Sequence, residues 1–532
     1  MSLTDQIKIL VDNVTAISED SAQEQRTLIA DFLSSTDNQI IRVYVTDTSG
    51  MGHQSNTVMI MYRLIQLGFN HNFEVVYAES EGDNLTANKL SKLIPGFMPD
   101  GNNPVTVTLS TDPKVDASMI PLTYFKTNIA DYPIKYFGFT GGYDKKSTNL
   151  ANAPTNTDPG VNVSFFLKLQ PYQWPQQNTI QRFGIADPIL LETVAVLGAA
   201  TYQKKRGYFI NPAQPPPQNA FTGTSQDKYV PYQTIINASK STENPINLLP
   251  VYGIGGSEAS GVTDASPNIR SQNVLFDLIT AVRYAQRFGS GNQQRGAIIV
   301  NIANIPDTAY DSLNELLTGA APDLTTLNEM VTQLPAIQGD LATHSVEIID
   351  YFNPALADKI ALLNGTDGTY KILVVKMGGI PVSAFNYMYS LSTLPCVLEG
   401  KATANMVLNM NIPYLNILKD SKVVYPTLPL NATADCQQAK DCNNVSASFK
   451  VTPATMNTKM EENPFSLDPP SDGFKTTPAY IISDYIARIY NTSDALNTYF
   501  TDLQAFFQNQ QQDKLYLGLL YFISYKDSLN TI

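Results

Sequence analysis

The sequence predicts an α/β protein built of two similar halves, and three observations predict it. Compact apolar strands alternate with stretches of helical spacing along most of the chain. Each half opens with a strand and a glycine-containing turn. A polar, proline-rich stretch at residues 203–245, with Pro215-Pro-Pro217 at its centre, separates the two series. The chain has 532 residues, of which 43% are hydrophobic, so it can bury a large core without disulfides or metals.

In the first half, residues 4–34 carry helical spacing. Ile40-Ile-Arg-Val-Tyr-Val-Thr46 is a strand, and Asp47-Thr-Ser-Gly-Met-Gly-His53 is a loop. A helix follows over 55–67, closed by Gly68. Phe73-Glu-Val-Val-Tyr77 is the next strand, which completes a βαβ unit and predicts a parallel sheet. Strands are expected at 105–109, 134–139 and 161–169, and a short helix at 187–197. The second half begins with a strand at 248–254 running into Gly253-Ile-Gly-Gly256. A helix is expected at 274–288, a strand at 296–302 and helical spacing over 308–333. A strand at 346–351, a helix at 354–363 and a strand at 370–375 come next. The turn Lys376-Met-Gly-Gly-Ile-Pro381 leads into a helix ending near 391. A strand at 395–398 and a helix over about 402–411 complete the series. Residues 420–475 lack periodicity, and 476–532 read as two or three helices.

These elements divide the chain into a Rossmann-like N-terminal domain at 1–245, a second Rossmann-like domain at 246–475 and C-terminal helices at 476–532. Two such domains present the carboxyl ends of their strands, where ligands bind in open α/β sheets, to a common cleft.

Lys plus Arg number 35 and Asp plus Glu 48, a net charge of −13 that argues against a nucleic-acid partner. No basic-then-apolar leader and no apolar run of about 20 residues occur, which predicts a cytoplasmic protein without a transmembrane segment and leaves signal-independent secretion open. Three cysteines argue against a cysteine-rich metal site, and no metal is expected. Cys436 and Cys442 read as two thiols, with a small disulfide as the alternative.

Four places carry candidate chemistry. Gly50 and Gly52 permit a sharp turn ahead of a helix start, and His53 there is either a proton acceptor or a plain helix-capping residue. Gly378 and Gly379 either turn the chain before a helix start that suits a phosphate, with Ser383 capping the helix and reaching the anion, or are the glycines that any βα turn carries. Glu399 follows a strand. It is either a ribose-diol acceptor or an exposed acid favoured by the dipole of the helix behind it, with Gly400, Thr403 and Asn405 along that helix. Gly255 and Gly256 either contact a diphosphate or merely turn the chain. His71 and His344 read as structural or solvated.

The segment 41–53 with the helix after it resembles the opening of diacylglycerol glycosyltransferases and of their relative that adds N-acetylglucosamine to peptidoglycan lipid. Those enzymes open with a strand, an Asp/Thr-Gly-Gly-Gly-His-type loop and a helix. Residues 376–405 are similar to the donor-binding region of the same GT-B fold: a glycine turn, a helix, a Leu-Pro strand, then Glu399. The Gly-Pro-Gly-Thr stretch common in those lipid enzymes is replaced here by Gly378-Gly-Ile-Pro381. The resemblance implies a metal-independent glycosyltransferase that takes a nucleotide-diphosphate sugar, UDP-sugar favoured, and uses no further cofactor. Gly255, Gly256, Gly378, Gly379, Ser383, Glu399, Gly400, Thr403 and Asn405 would bind the donor, and His53 would be the base or orient an acceptor, be it lipid, small molecule or protein. An epimerase or phosphorylase on the same fold, and a non-catalytic binding protein with a decayed site, are the rival expectations.

Overall fold

The computed structural model describes residues 5, 12, 20–45, 51–79, 85–97, 105–108, 114–123, 133–141, 162–169, 179–182, 189–190, 214–255, 267–318, 346–365, 371–417, 425, 436–449, 475, 478–508 and 513–530. The chain forms two compact units. One comprises Met1–Gly223, Pro381–Ala384 and Ala505–Ile532; the other comprises Thr224–Ile380 and Phe385–Gln504. The second unit thus begins at Thr224, whereas the sequence places the boundary at 245/246.

The first unit runs α1 (Ala22–Ser34), β1 (Ile40–Val45), α2 (Gly52–Gln66), β2 (Asn72–Glu79), α3 (Leu85–Leu93), β3 (Val105–Thr108), β4 (Lys114–Thr123), β5 (Lys135–Thr140), β6 (Val163–Lys168), β7 (Thr179–Arg182) and β8 (Ile189–Leu190). Its eight-stranded sheet has the order β3-β4-β2-β1-β5-β6-β7-β8. The five central strands, β4 to β6 in that order, are parallel, and β3, β7 and β8 extend the sheet antiparallel at its edges. In chain order the parallel five read 3-2-1-4-5, the Rossmann arrangement, and the direction of progression reverses between β1 and β5.

In this unit one expected helix is corrected, and three elements absent from the sequence reading are present: α3, β4 and β7. Residues 187–197 are expected as a helix, but Ile189–Leu190 is a strand, paired with Thr179 and Ile180 of β7. The sequence reading also omits β4, although Val115, Ala117 and Met119 are buried and Lys114, Asp116 and Ser118 exposed, a clear two-residue period. Pro121 within the run obscures it.

The second unit contains α4 (Tyr229–Ser239), β9 (Asn247–Val251), α5 (Pro267–Phe288), β10 (Ala297–Asn301), α6 (Asp307–Thr318), β11 (Val346–Asp350), α7 (Leu356–Asn364), β12 (Ile372–Lys376), α8 (Val382–Ser390), β13 (Cys396–Leu398), α9 (Lys401–Leu408), β14 (Tyr414–Asn416), α10 (Gln437–Ser448), α11 (Pro478–Tyr490) and α12 (Ala495–Gln508). The start of α8 and the end of α12 fall in the first unit, as does all of α13 (Lys514–Asn530). The six strands are parallel in the order β11-β12-β10-β9-β13-β14. Here β12 stands between β10 and β11, a departure from the simple Rossmann order, and progression reverses between β9 and β13. The central strands are buried end to end and read as unbroken apolar runs, Leu248-Leu-Pro-Val251 and Ala297-Ile-Ile-Val300, because a parallel sheet is covered on both faces. Pro250 is tolerated in β9 because its missing N–H falls on the β13 side. The flanking Leu248 and Tyr252 N–H groups bond there to Thr393 Oγ1 and the Val397 carbonyl.

Two stretches expected to be irregular contain helices. Helix α4 lies inside the proline-rich 203–245, and its Pro231 sits in the first turn, where a missing N–H costs nothing. Helix α10 lies inside 420–475 and buries Ala439, Cys442, Val445 and Ser446 at helical spacing. The three cysteines are thiols.

The three C-terminal helices divide between the units. Helix α11 packs along α5. Helix α13 completes the first unit's core: Phe522 meets Phe32 at 5.1 Å, Phe137 at 4.7 Å and Phe165 at 5.4 Å between ring centres. A buried ion pair at 2.9 Å from Arg63 of α2 to Asp513 fixes its start. In the second unit the outer edge of β14 is covered by side chains. The Asn416 N–H donates to the Tyr425 and Ser446 hydroxyls, both at 3.1 Å, and the Tyr425 hydroxyl donates to the Tyr414 carbonyl at 2.9 Å.

Candidate functional site

The carboxyl edge of the second sheet gathers most of the residues singled out by sequence. Strand β9 ends in Tyr252-Gly253-Ile254-Gly255, and β13, its neighbour across the reversal, ends in Glu399-Gly400. Gly253 adopts φ +84°, and a side-chain carbon built on it would lie 2.1 Å from Cβ of Glu399. Only glycine lets the two strand ends approach so closely. The reversal point of the parallel sheet therefore carries a carboxylate against a bare stretch of backbone. The Tyr252 hydroxyl lies in the field of that carboxylate. Burial, and then the charge of Glu399, raise its pKa above the ordinary tyrosine value. An aromatic file runs from Tyr252 to Phe385, edge-on at 5.4 Å, and on to Tyr389, stacked at 4.3 Å.

Gly400 caps α9 with φ +94°, a conformation that demands glycine although the space around it is open. Thr403 is half-buried on α9. Asn405 is fully buried, and neither its Oδ1 nor its Nδ2 has a hydrogen-bond partner. Ser383 falls in the part of α8 that belongs to the first unit; it is the second residue of that helix and its shielded hydroxyl has no hydrogen-bond partner, so it does not cap the helix as the sequence predicts.

The glycine turn after β12 has its donors committed. The Met377 and Gly378 N–H groups both donate to the Asn301 carbonyl at 3.0 Å, and the Gly379 N–H donates to Asn304 Oδ1 at 3.3 Å. Its carbonyls serve a cation: Lys228 Nζ donates to Met377 O at 2.7 Å and to Gly379 O at 2.9 Å. The resemblance implies that Gly378 and Gly379 cradle a diphosphate with their backbone N–H groups. In this conformation those groups are spent within the protein. Asn304 also joins the turn to the loop after β9, since its carbonyl lies 3.4 Å from a carbon built on Gly255. Beside the turn, Lys376 pairs with Asp307 and Asp350, each at 2.9 Å. Burial works against the Lys376 charge, but the two carboxylates prevail and raise its pKa.

Sequence reasoning misses Lys228 and Asn304. Lys228 lies in the stretch read as a polar connection, far in sequence from the turn it holds. Asn304 is signalled only by its place between a strand end and Pro306.

The first unit holds the remaining candidates. His53 is the second residue of α2 and half-buried, and its carbonyl accepts the Thr57 hydroxyl at 2.9 Å. Gly52 is exposed, with open space around it. Gly50 and Gly256, like His344, lie outside the described residues; His71 is half-buried and bonds the Ser34 carbonyl at 3.2 Å. At this unit's own reversal point the backbone after β5 is fastened to α2. The Gly141 N–H donates to Thr57 Oγ1 at 3.0 Å, and Asn56 Nδ2 donates to the Gly141 carbonyl.

No protein-family model matches the sequence, and no curated protein is significantly similar to it. Among the described residues no group of three or more His, Cys, Asp or Glu is arranged to hold a metal ion, and no helix is long and apolar enough to cross a membrane. The arrangement can bind a polar ligand with hydroxyl groups against Glu399 and carry negative charge near Lys228.

Proposed function

We propose that this protein is a glycosyltransferase of the GT-B type that takes a nucleotide-diphosphate sugar, with a UDP-sugar favoured. The single observation that carries the reading is Glu399, set at the reversal point of an all-parallel sheet and pressed against Gly253. Ligands bind at that position in open α/β sheets, and a carboxylate there accepts two hydrogen bonds from a vicinal diol. The reading assigns the donor to the second unit and His53, in the first, to the acceptor hydroxyl. Helix-start N–H groups and Lys228 would stabilise the departing diphosphate. A binding protein without turnover is the second reading. It is favoured by the committed N–H groups of the 377–379 turn, which a working diphosphate site would want available.

Titration with UDP- and GDP-sugars, followed by thermal shift and by donor hydrolysis, tests both. Binding with slow hydrolysis supports transfer, and binding without any hydrolysis favours the second reading. Glu399→Gln is expected to weaken nucleotide-sugar binding about tenfold, the scale of one lost charge-assisted hydrogen bond. No binding of any nucleotide sugar sinks both the donor and the site assignment.

A further inference from the structure

We propose that the segment Gly223–Lys228 is a latch on the carboxyl edge of the second sheet, opened when an anion of the phosphate class draws the Lys228 ammonium off the 377–379 turn. The proposal rests on the reading that a phosphate-bearing ligand binds at this edge. Two adjacent side chains close the latch. Lys228 grips the turn after β12 through the Met377 and Gly379 carbonyls and lies 4.8 Å from the centre of the Tyr351 ring. Asp227 accepts the Tyr351 hydroxyl at 2.6 Å and so grips the loop after β11. The segment is one short 3₁₀ stretch. It begins at Gly223, which has φ +61° and open space around it, a suitable pivot.

The direction of the switch follows from bond strengths. The N–H groups of Met377, Gly378 and Gly379 are already given to Asn301 and Asn304, so an arriving phosphate is met by the half-buried ammonium instead. An ammonium bonds a phosphate oxygen more strongly than a neutral carbonyl. Its four-carbon stem allows the exchange. The turn takes two of the ammonium's three donors; a phosphate gathers two or more of them only when the carbonyls are released, and that difference gives the ligand the differential affinity that any ligand-driven change requires.

Hydrogen exchange of the full chain, with inorganic pyrophosphate as the probe, tests this. Pyrophosphate is expected to speed exchange across 224–228 about tenfold. Lys228→Met is expected to exchange fast without the probe and to bind it about tenfold more weakly. Asp227→Asn loosens only the other grip. It should raise exchange without the probe while keeping pyrophosphate affinity within about threefold. The proposal falls if pyrophosphate does not bind, if it binds and leaves exchange at 224–228 unchanged, or if Lys228→Met binds it as well as the natural chain does. Should pyrophosphate open the latch while no nucleotide sugar binds, the latch stands and the donor reading falls.

Discussion

The two sheets reverse their order of progression at equivalent places, between β1 and β5 in one and between β9 and β13 in the other, and they use that place differently. In the first, neutral side chains of α2 tie down the backbone: Asn56 and Thr57 bond both polar groups of Gly141. In the second, a glycine lets a carboxylate close in, and Glu399 stands against Gly253. One reversal point is spent on holding a helix to a sheet, and the other puts a charge at a sheet edge. Equivalent positions in similar topologies are therefore not equivalent sites. The side chains, not the strand order, decide which of them has chemistry.

The comparison can be broken hardest through the cores. Phe522→Ala removes the ring that Phe32, Phe137 and Phe165 share in the first unit. It should cost about 3–5 kcal/mol there. Denaturant unfolding followed by exchange at Val300 and Val374 of the second sheet should show that sheet unaffected, and a loss below about 1 kcal/mol would contradict the assigned packing.

Next in size are the two glycines. A methyl group on Gly141 would meet Asn56 Nδ2 at 2.5 Å and the Thr57 backbone nitrogen at 2.7 Å, and one on Gly253 would strike Glu399. Each Gly→Ala change should destabilise by about 1–3 kcal/mol through overpacking, with added strain at Gly253 from its positive φ. Only Gly253→Ala should also weaken nucleotide-sugar binding. Equal effects on binding from the two would erase the distinction between the reversal points.

The smallest effect concerns acid. Asp494 bonds Arg488 Nε at 2.9 Å, and this bond holds its carboxyl below the usual range, helped by the Leu496 N–H. Because the folded value is the lower one, the stability it lends is complete above the unfolded value of about 3.9 and is lost as pH falls through the folded value. Melting temperatures of the natural chain and of Asp494→Asn should differ slightly at pH 7 and converge as the pH falls below the folded value. A gap that persists at low pH would assign the effect to packing.

Much of the architecture is legible in the sequence because parallel strands are uniform. Leu248-Leu-Pro-Val251 and Ala297-Ile-Ile-Val300 announce themselves as buried runs, and each glycine turn marks a strand end. Two of the misreadings arise where a strong local signal hides a weaker one. Pro121 masks the alternation of β4, and Pro231 masks the start of α4. The candidate site is legible in pieces. Glu399 and the glycines after β9 and β12 each stand out, but which of them meet is a property of strand order. The grip of Lys228 on the 377–379 turn joins residues distant in sequence, and the use of that turn's N–H groups by Asn301 and Asn304 is a detail of loop conformation. No spacing rule reports either.

The position of α13 sets a timetable for biosynthesis. The first unit's strands and α2 leave the ribosome early, but Phe522 and Leu519, which seal their core, are made roughly 300 residues after Gly223. At about 5–20 residues per second the nascent first unit spends about 15–60 seconds with an apolar face uncovered. Through that interval the growing chain is a natural client for chaperones, and premature termination before Lys514 would leave the first unit without its seal.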